Sequence, residues 1–325
     1  MKAIICEKWG PPASLSWAEV PRRPLGPGQV RVRVRASGVN FADILMVGGT
    51  YQVKPSFPFT PGLEAAGEVI EVSAGVETLA PGDRVLAVSR FGGGYAEELV
   101  IDARAVVAIP ATLSYEAAAA FPVAYGTAHF ALTHRGALRA GEWLVVTGAA
   151  GGVGLAAVEV GKQLGARVIA VAGGADKCAV AATYGADATI DHQLEKVSER
   201  IKEITGGDGA DVVFDPVGGD IFDQCLRAVN WEARVLVIGF AAGRIQEVPA
   251  NRILVKNISV TGVVWGAQAA RDPVLVSNLL RILLGWYVDG RLKPLIAATY
   301  PLCDAASAML ALLTRRYPGK IVLVS

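Results

Sequence analysis

The chain has 325 residues, 52% hydrophobic and 19% charged, and its 31 basic and 30 acidic side chains leave a formal net charge of +1. That length predicts two domains, and the balanced charge offers no broad basic face for nucleic acid. The uncharged run Trp143 to Val158 is broken by glycines and too short for a bilayer. Four scattered cysteines (Cys6, Cys178, Cys225, Cys303) and no apolar core for a signal peptide in MKAIICEKWG predict a reduced, cytoplasmic setting.

Up to about residue 120 the pattern is short and β-like. VRVRVRA (Val30 to Ala36) alternates valine with arginine, the period of a strand with one wet face. GEVIEV (67–72) and DRVLAV (83–88) read as further strands, set off by turns at Gly26 to Gly28 and Pro81 to Asp83. Together they predict a small antiparallel barrel. From about residue 121 strands near Leu144, Val168, Thr189, Val212, Val235 and Val260 alternate with helices. Six strands joined by crossover helices make an α/β, doubly wound parallel sheet. A helical stretch (Asp272 to Trp286) then leads to GKIVLVS, a strand expected to return to the barrel. The predicted domains are 1–120 with 267–325, and 121–266.

Residues 143–165, WLVVTGAAGGVGLAAVEVGKQLG, run from an apolar strand through a small-residue turn into a helical pattern closed by Gly165. In this context a glycine motif predicts a dinucleotide site. Gly151 and Gly152, with Val153, leave room for a pyrophosphate, and Gly154 allows close helix packing. The helix N-terminus offers N–H groups and partial positive charge. The second strand ends in AVAGGADK, with Ala172 and Gly173 where a ribose-binding acid would favour NAD. Lys177 follows and can meet a 2′-phosphate. The expected cofactor is NADP(H).

The motifs GVNFADILMVGG at Gly38, PGLEAAGEVIEV at Pro61, PGDRV at Pro81, GGGYAEE at Gly92, GTAHFAL at Gly126, the glycine turn, DVVFDPVGG and GKIVLV carry a resemblance over essentially the whole chain. It resembles the zinc-free quinone oxidoreductase branch, which includes zeta-crystallin, of the medium-chain dehydrogenase/reductase superfamily. The resemblance implies a GroES-like antiparallel β-barrel beside a Rossmann domain, an active site in the cleft between them, and homodimers through the Rossmann edge strand. Zinc alcohol dehydrogenases of that superfamily carry cysteine where this chain has Asn40 and histidine where it has Leu63. Glu64 alone remains, and a catalytic zinc needs about three protein ligands. His129 and His134 read as ordinary helix residues, so no zinc is expected.

Without a metal, the favoured hydride acceptor is conjugated and spreads the incoming charge. The resemblance assigns further residues. Asn40 sits at the former ligand position, with an amide for a nicotinamide ribose or substrate oxygen; a turn role is its rival. Tyr51 resembles a substrate-pocket tyrosine and can donate a hydrogen bond or a proton, while Leu45 replaces the family's other pocket tyrosine. Thr127, expected at a helix start, is a hydroxyl contact or a cap. Phe240 lies beyond a strand end, and Val264 and Trp265 would cover the nicotinamide, with Trp265 equally a subunit contact. His192 and Arg315 match positions near the adenosine 2′-phosphate, whereas Asp215 reads as a turn and cap residue. The leading expectation is an NADPH:quinone reductase acting on a small conjugated carbonyl, a quinone or an enone. The alternatives are a reductase of activated alkenes (2-alkenals or enoyl thioesters) and a non-catalytic NADPH-binding protein.

Overall fold

The valine–arginine alternation becomes the hub of the first unit. The computed structural model describes residues 1–325, and these divide into Met1–Gly126 with Trp265–Ser325, and Thr127–Val264. The first unit opens with strands β1 (Lys2–Ile5), β2 (Ser16–Glu19) and β3 (Gln29–Val39), then helix α1 (Phe41–Val47). Strands β4 (Glu64–Val72), β5 (Arg84–Val88), β6 (Glu98–Asp102) and β7 (Val106–Ala108) follow. Strand β3 pairs antiparallel with both β4 and β6. Val30, Val32 and Val34 share a core with Val69, Val85 and Leu99, as the two-residue period of a strand dictates. The wet face departs from expectation at one position, because Arg31 is only 5% exposed. Its guanidinium reaches Glu71 at 2.8 Å, Glu98 at 3.3 Å and the Arg23 carbonyl at 2.9 Å. A fork satisfied this fully can leave water.

Helices α2 (Tyr115–Ala119) and α3 (Pro122–Phe130) come next, and the division between the units falls within α3. The second unit then alternates β8 (Trp143–Thr147), α4 (Gly152–Gln163), β9 (Arg167–Ala172), α5 (Ala175–Thr183), β10 (Ala188–Asp191), α6 (Val197–Ile204) and β11 (Ala210–Asp215). It ends with α7 (Gly219–Leu226), β12 (Val229–Val237), α8 (Ala250–Lys256) and β13 (Ser259–Gly262). Every pairing in this sheet is parallel, in the order β10-β9-β8-β11-β12-β13. Strand order reverses beside β8, and such reversals are where open α/β sheets bind ligands at strand carboxyl ends. All six strands predicted from the alternation are present.

The chain returns to the first unit through α9 (Trp265–Arg271), α10 (Pro273–Val288), β14 (Ile296–Pro301), α11 (Ala305–Leu313) and β15 (Lys320–Val324). The GKIVLVS tail joins the barrel sheet, with Ile321 opposite Val39. One pairing is not antiparallel: β14 runs parallel to β15. The intervening helix α11 supplies the long crossover that a parallel pair requires. The barrel sheet is therefore mixed. No helix is long and apolar enough to cross a membrane.

Candidate functional site

Beyond Thr147 the chain turns through Gly148, whose φ of +58° is the left-handed conformation glycine tolerates. Gly151 immediately precedes α4, which begins at Gly152. The first-turn N–H groups of Gly152, Val153 and Gly154 have no acceptor in a preceding turn. A Cβ on Gly154 would lie 2.2 Å from the Gly148 carbonyl oxygen and 2.8 Å from Ala149 Cα. Both are backbone and cannot rotate aside, so helix and turn meet at a distance only glycine permits. Gly151 is exposed, leaving bare backbone toward solvent. Asp215, at the end of β11, braces this region by accepting from the Thr147 hydroxyl and from Gly218 N–H at 2.9 Å. Of the expected turn and cap roles this is the turn, since Gly218 is the cap of the next helix, and burial raises the Asp215 carboxyl pKa.

The end of β9 lies beside this turn, for Ala172 and Cys178 pack with Ala150 in one small buried cluster. Asp191, closing the neighbouring β10, directs Oδ1 to the N–H groups of Gly174 (2.9 Å) and Gln193 (3.0 Å). These bonds hold its carboxyl below the ordinary carboxylate range. His192 Nε2 stands 2.8 Å from where a Cβ on Gly173 would be, so the imidazole fills that space. Lys177 occupies the first turn of α5, half-buried. Phe240 starts the loop beyond β12, its carbonyl accepting from Gly243 N–H at 2.9 Å. Val264, 50% exposed, follows β13 at the same carboxyl side of the sheet. Thr127 requires a correction: α3 begins at Pro122, whose ring suits a first helical turn. Thr127 is therefore mid-helix, 8% exposed, and caps nothing.

In the first unit Asn40 anchors a buried polar cluster. Its Nδ2 donates to Glu64 Oε1 at 2.9 Å and to the Gly38 carbonyl at 3.4 Å, and its Oδ1 accepts from Lys320 Nζ at 2.5 Å. An ammonium can only donate, so this contact fixes the amide orientation. Lys320 also pairs with Glu64 Oε1 at 2.6 Å, and Glu64 Oε2 accepts from Val123 N–H at 2.8 Å. Asp43 accepts from the N–H groups of Asn40 (2.9 Å), Leu63 (3.0 Å) and Gly62 (3.2 Å) and from Tyr95 Oη (3.1 Å). Burial pushes the Asp43 carboxyl up to about 6, with Asn40 N–H pulling the other way. Burial and the Asp43 charge raise the Tyr95 phenol well above its usual value.

Asn40 thus spends its amide on its own unit, and it is 8% exposed. Tyr51 follows α1 on a loop tied down by its N–H to the Leu45 carbonyl at 3.1 Å. Its side chain packs against the cluster that includes Ile44, Phe59 and Leu63. Burial, then the Asp43 charge, raise its phenol pKa, and Arg90 opposes them. Trp265 is corrected as a subunit contact: it is 4% exposed, with its indole against Gly126. Arg315 belongs to the first unit, exposed at the end of α11 with φ +53°. Sequence reasoning passed over Asp43, Tyr95 and Lys320. Asp43 had a signal, since Asn40 and Asp43 form a capping box across the start of α1. Lys320 had none, because its partner Asn40 lies 280 positions away.

A GroES-like barrel sheet and a six-stranded Rossmann sheet in one chain, entered and left through the barrel unit, define a medium-chain dehydrogenase/reductase. Residues 26–111 match the alcohol dehydrogenase GroES-like domain, and residues 152–280 match the zinc-binding dehydrogenase family. The quinone oxidoreductase-like protein 2 homolog of Nematostella vectensis is 42% identical over 99% of this chain and 88% of its own length. Quinone oxidoreductase-like protein 2 of Rattus norvegicus is 39% identical, covering 99% and 91%. The solved structure of Escherichia coli quinone oxidoreductase complexed with NADPH is 31% identical, with a TM-score of 0.94 and full coverage of both chains. The chain belongs to the quinone oxidoreductase branch of the medium-chain dehydrogenase/reductase superfamily, a family of oxidoreductases.

The zinc-binding family name raises the question of a metal, and the donor set here does not fit one. Beside Glu64 stand an amide (Asn40), a hydrocarbon (Leu63) and an ammonium 2.6 Å away. A second cation at that carboxylate would meet the repulsion of Lys320. No three His, Cys, Asp or Glu side chains converge elsewhere.

Proposed function

We propose that this protein is an NADPH-dependent reductase that delivers hydride to a quinone without metal assistance. The observation that carries the reading is the end of β9. Ala172 and Gly173 present no carboxylate there, Asp191 is turned onto backbone N–H groups, and His192 fills the space over Gly173. A 2′-phosphate at the end of β9 meets no carboxylate from Ala172 or Gly173, and Lys177 and His192 supply donors to it. The glycine turn fits a pyrophosphate for the reason given by Gly154: backbone approaches backbone with no side chain between. Gly151, Gly152, Val153 and Gly154 would hold the phosphates, and Phe240, Val264 and Thr127 belong to the nicotinamide end. Bound NADPH supplies a hydride.

The chain's own share is positioning and a proton. Tyr51, with its phenol held protonated by burial and by Asp43, donates to the acceptor oxygen as charge arrives. An acceptor that delocalises this charge needs no Lewis acid, and the ammonium of Lys320 stands at Glu64 in any case. The Escherichia coli relative, crystallised with NADPH and named a quinone oxidoreductase, supports the cofactor and the acceptor class. A homodimer through the outer edge of β13, which ends the sheet order, completes the reading. A second reading, reduction of activated alkenes, is favoured by the same Tyr51 phenol, since an enone needs a proton at carbon. NADPH oxidation measured against quinones, 2-alkenals and enoyl thioesters, with NADH as control, decides. Quinone turnover with NADPH preferred is the expected outcome. Equal rates with NADH remove the cofactor argument, and turnover confined to alkenals replaces the acceptor.

A further inference from the structure

Lys320 is a charged side chain held inside the first unit, and the function above does not use it. Its ammonium sits between Glu64 Oε1 (2.6 Å) and Asn40 Oδ1 (2.5 Å), and residue 320 as a whole is 6% exposed. The barrel makes room for this arrangement at Gly38. A Cβ there would fall 2.1 Å from Glu64 Oε1 and 2.4 Å from the Ala119 carbonyl. Burying two charges earns little stability by itself and frequently costs some, so a structural role is a poor reason for the pair. What the pair does provide is direction. Asn40 is the residue before α1, its amide is fixed by Lys320, and its N–H is bound by Asp43 at 2.9 Å. Seven residues of α1 lie between this anchor and the loop bearing Tyr51. Thr50 N–H (2.9 Å) and Tyr51 N–H (3.1 Å) both end on the Leu45 carbonyl of that helix.

We propose that Lys320 is a positioning residue: through Asn40 and Glu64 it fixes the start of α1, and through α1 it sets the place of Tyr51. The inference rests on the reading of Tyr51 as the acceptor-side donor. Lys320 touches no substrate. It works as a tethered cation that keeps two oxygens, and the helix attached to one of them, in one arrangement.

The test uses the full-length protein with Lys320→Arg, Lys320→Met, the double variant Lys320→Met/Glu64→Gln, and each in a Tyr51→Phe background. Lys320→Met strands the Glu64 carboxylate, so loss of folding there is expected. The double variant removes both charges isosterically and is expected to melt close to the parent. Its kcat with quinone is expected to fall about tenfold or more while the KM for NADPH changes less than about twofold, as for a misplaced group. Lys320→Arg recovers most of that loss. The loss is also non-additive with Tyr51→Phe, because both variants remove the same contribution. A readout without turnover is the tyrosinate absorbance of Tyr51, taken as the difference from Tyr51→Phe. Burial and Asp43 raise that phenol in the parent, and it should titrate lower in the double variant.

A double variant with parental kcat and parental Tyr51 titration overturns the proposal, as do fully additive losses. Should the double variant also fail to fold, Lys320→Gln/Glu64→Gln replaces it: parental kcat and parental Tyr51 titration overturn the proposal, and a lowered kcat with a lowered Tyr51 titration supports it. If the parent itself reduces no acceptor, the proposed function has failed, and the Tyr51 titration still judges the placement.

Discussion

At Lys177 the comparison that matters is between a phosphate and a hydroxyl, because the two coenzymes differ only there. The half-buried ammonium stands in the first turn of α5, next to a strand end without a carboxylate. Lys177→Ala is expected to weaken NADPH about tenfold and NADH little, a change of about 1.4 kcal/mol typical of one partly solvated charge pair. Titration of coenzyme fluorescence measures both; a parallel loss for the two coenzymes contradicts the role. Gly154 has the opposite character, with no charge and no freedom to move. A methyl group 2.2 Å from the Gly148 oxygen forces the turn from α4, so Gly154→Ala should cost about 1–3 kcal/mol and lower coenzyme affinity with it. A variant with the parental denaturation midpoint refutes that close packing. The close approach at Gly154 was legible in the sequence, because a glycine acts there through local spacing. Asn40 was legible as a special position but not in its partners. Those come from β4 and from the last strand, and no local pattern encodes them.

Among the elements, those with a strong period or punctuation were read correctly and those set by distant packing were not. The six parallel strands declared themselves as apolar runs between glycine stops. Arg31 reads as a solvent residue in VRVRVRA and is instead enclosed by Glu71 and Glu98, 40 and 67 positions on. Helix α3 was placed too late because proline at its first position looks like a break when the following turn is unseen. The same helix shows what holds α9. Gly126 has no side chain because the Trp265 indole occupies that space, 2.5 Å from where a Cβ would be. Gly126→Ala must push a buried indole, at about 1–3 kcal/mol, while Trp265→Ala opens a cavity, at about 3–5 kcal/mol. Thermal unfolding of the two single variants and the pair tests this. In the pair the new methyl group enters the space vacated by the indole, so the combined loss should be smaller than the sum. Full additivity shows that the two groups do not meet.

For the molecule as a whole, pH exposes two buried groups with opposite demands. His129 is 5% exposed, and burial lowers its imidazole from 6.5 to about 4, with His134 adding to the effect. The unfolded chain therefore takes up a proton here that the folded chain refuses. The contribution of His129 to stability is fully present above about pH 6.5 and is lost as pH falls through about 4. Asp43 runs the other way, raised from 3.8 to about 6 by burial. Folded protein takes up its proton first, so its contribution is present below about pH 3.8 and is lost as pH rises through about 6. Across the shared window the two slopes oppose, and stability should change less between pH 6 and 4.5 than either group alone would dictate. His129→Gln removes one of the two. Relative to the parent, this variant should recover about 1–2 kcal/mol on going from pH 7 to pH 4.5, because only the parent must keep an imidazole neutral. Denaturant unfolding of both proteins at the two pH values measures the difference directly. A gap between parent and variant that stays constant with pH means that His129 is protonated in the fold, and that the interior of α3 is wetter than its packing indicates.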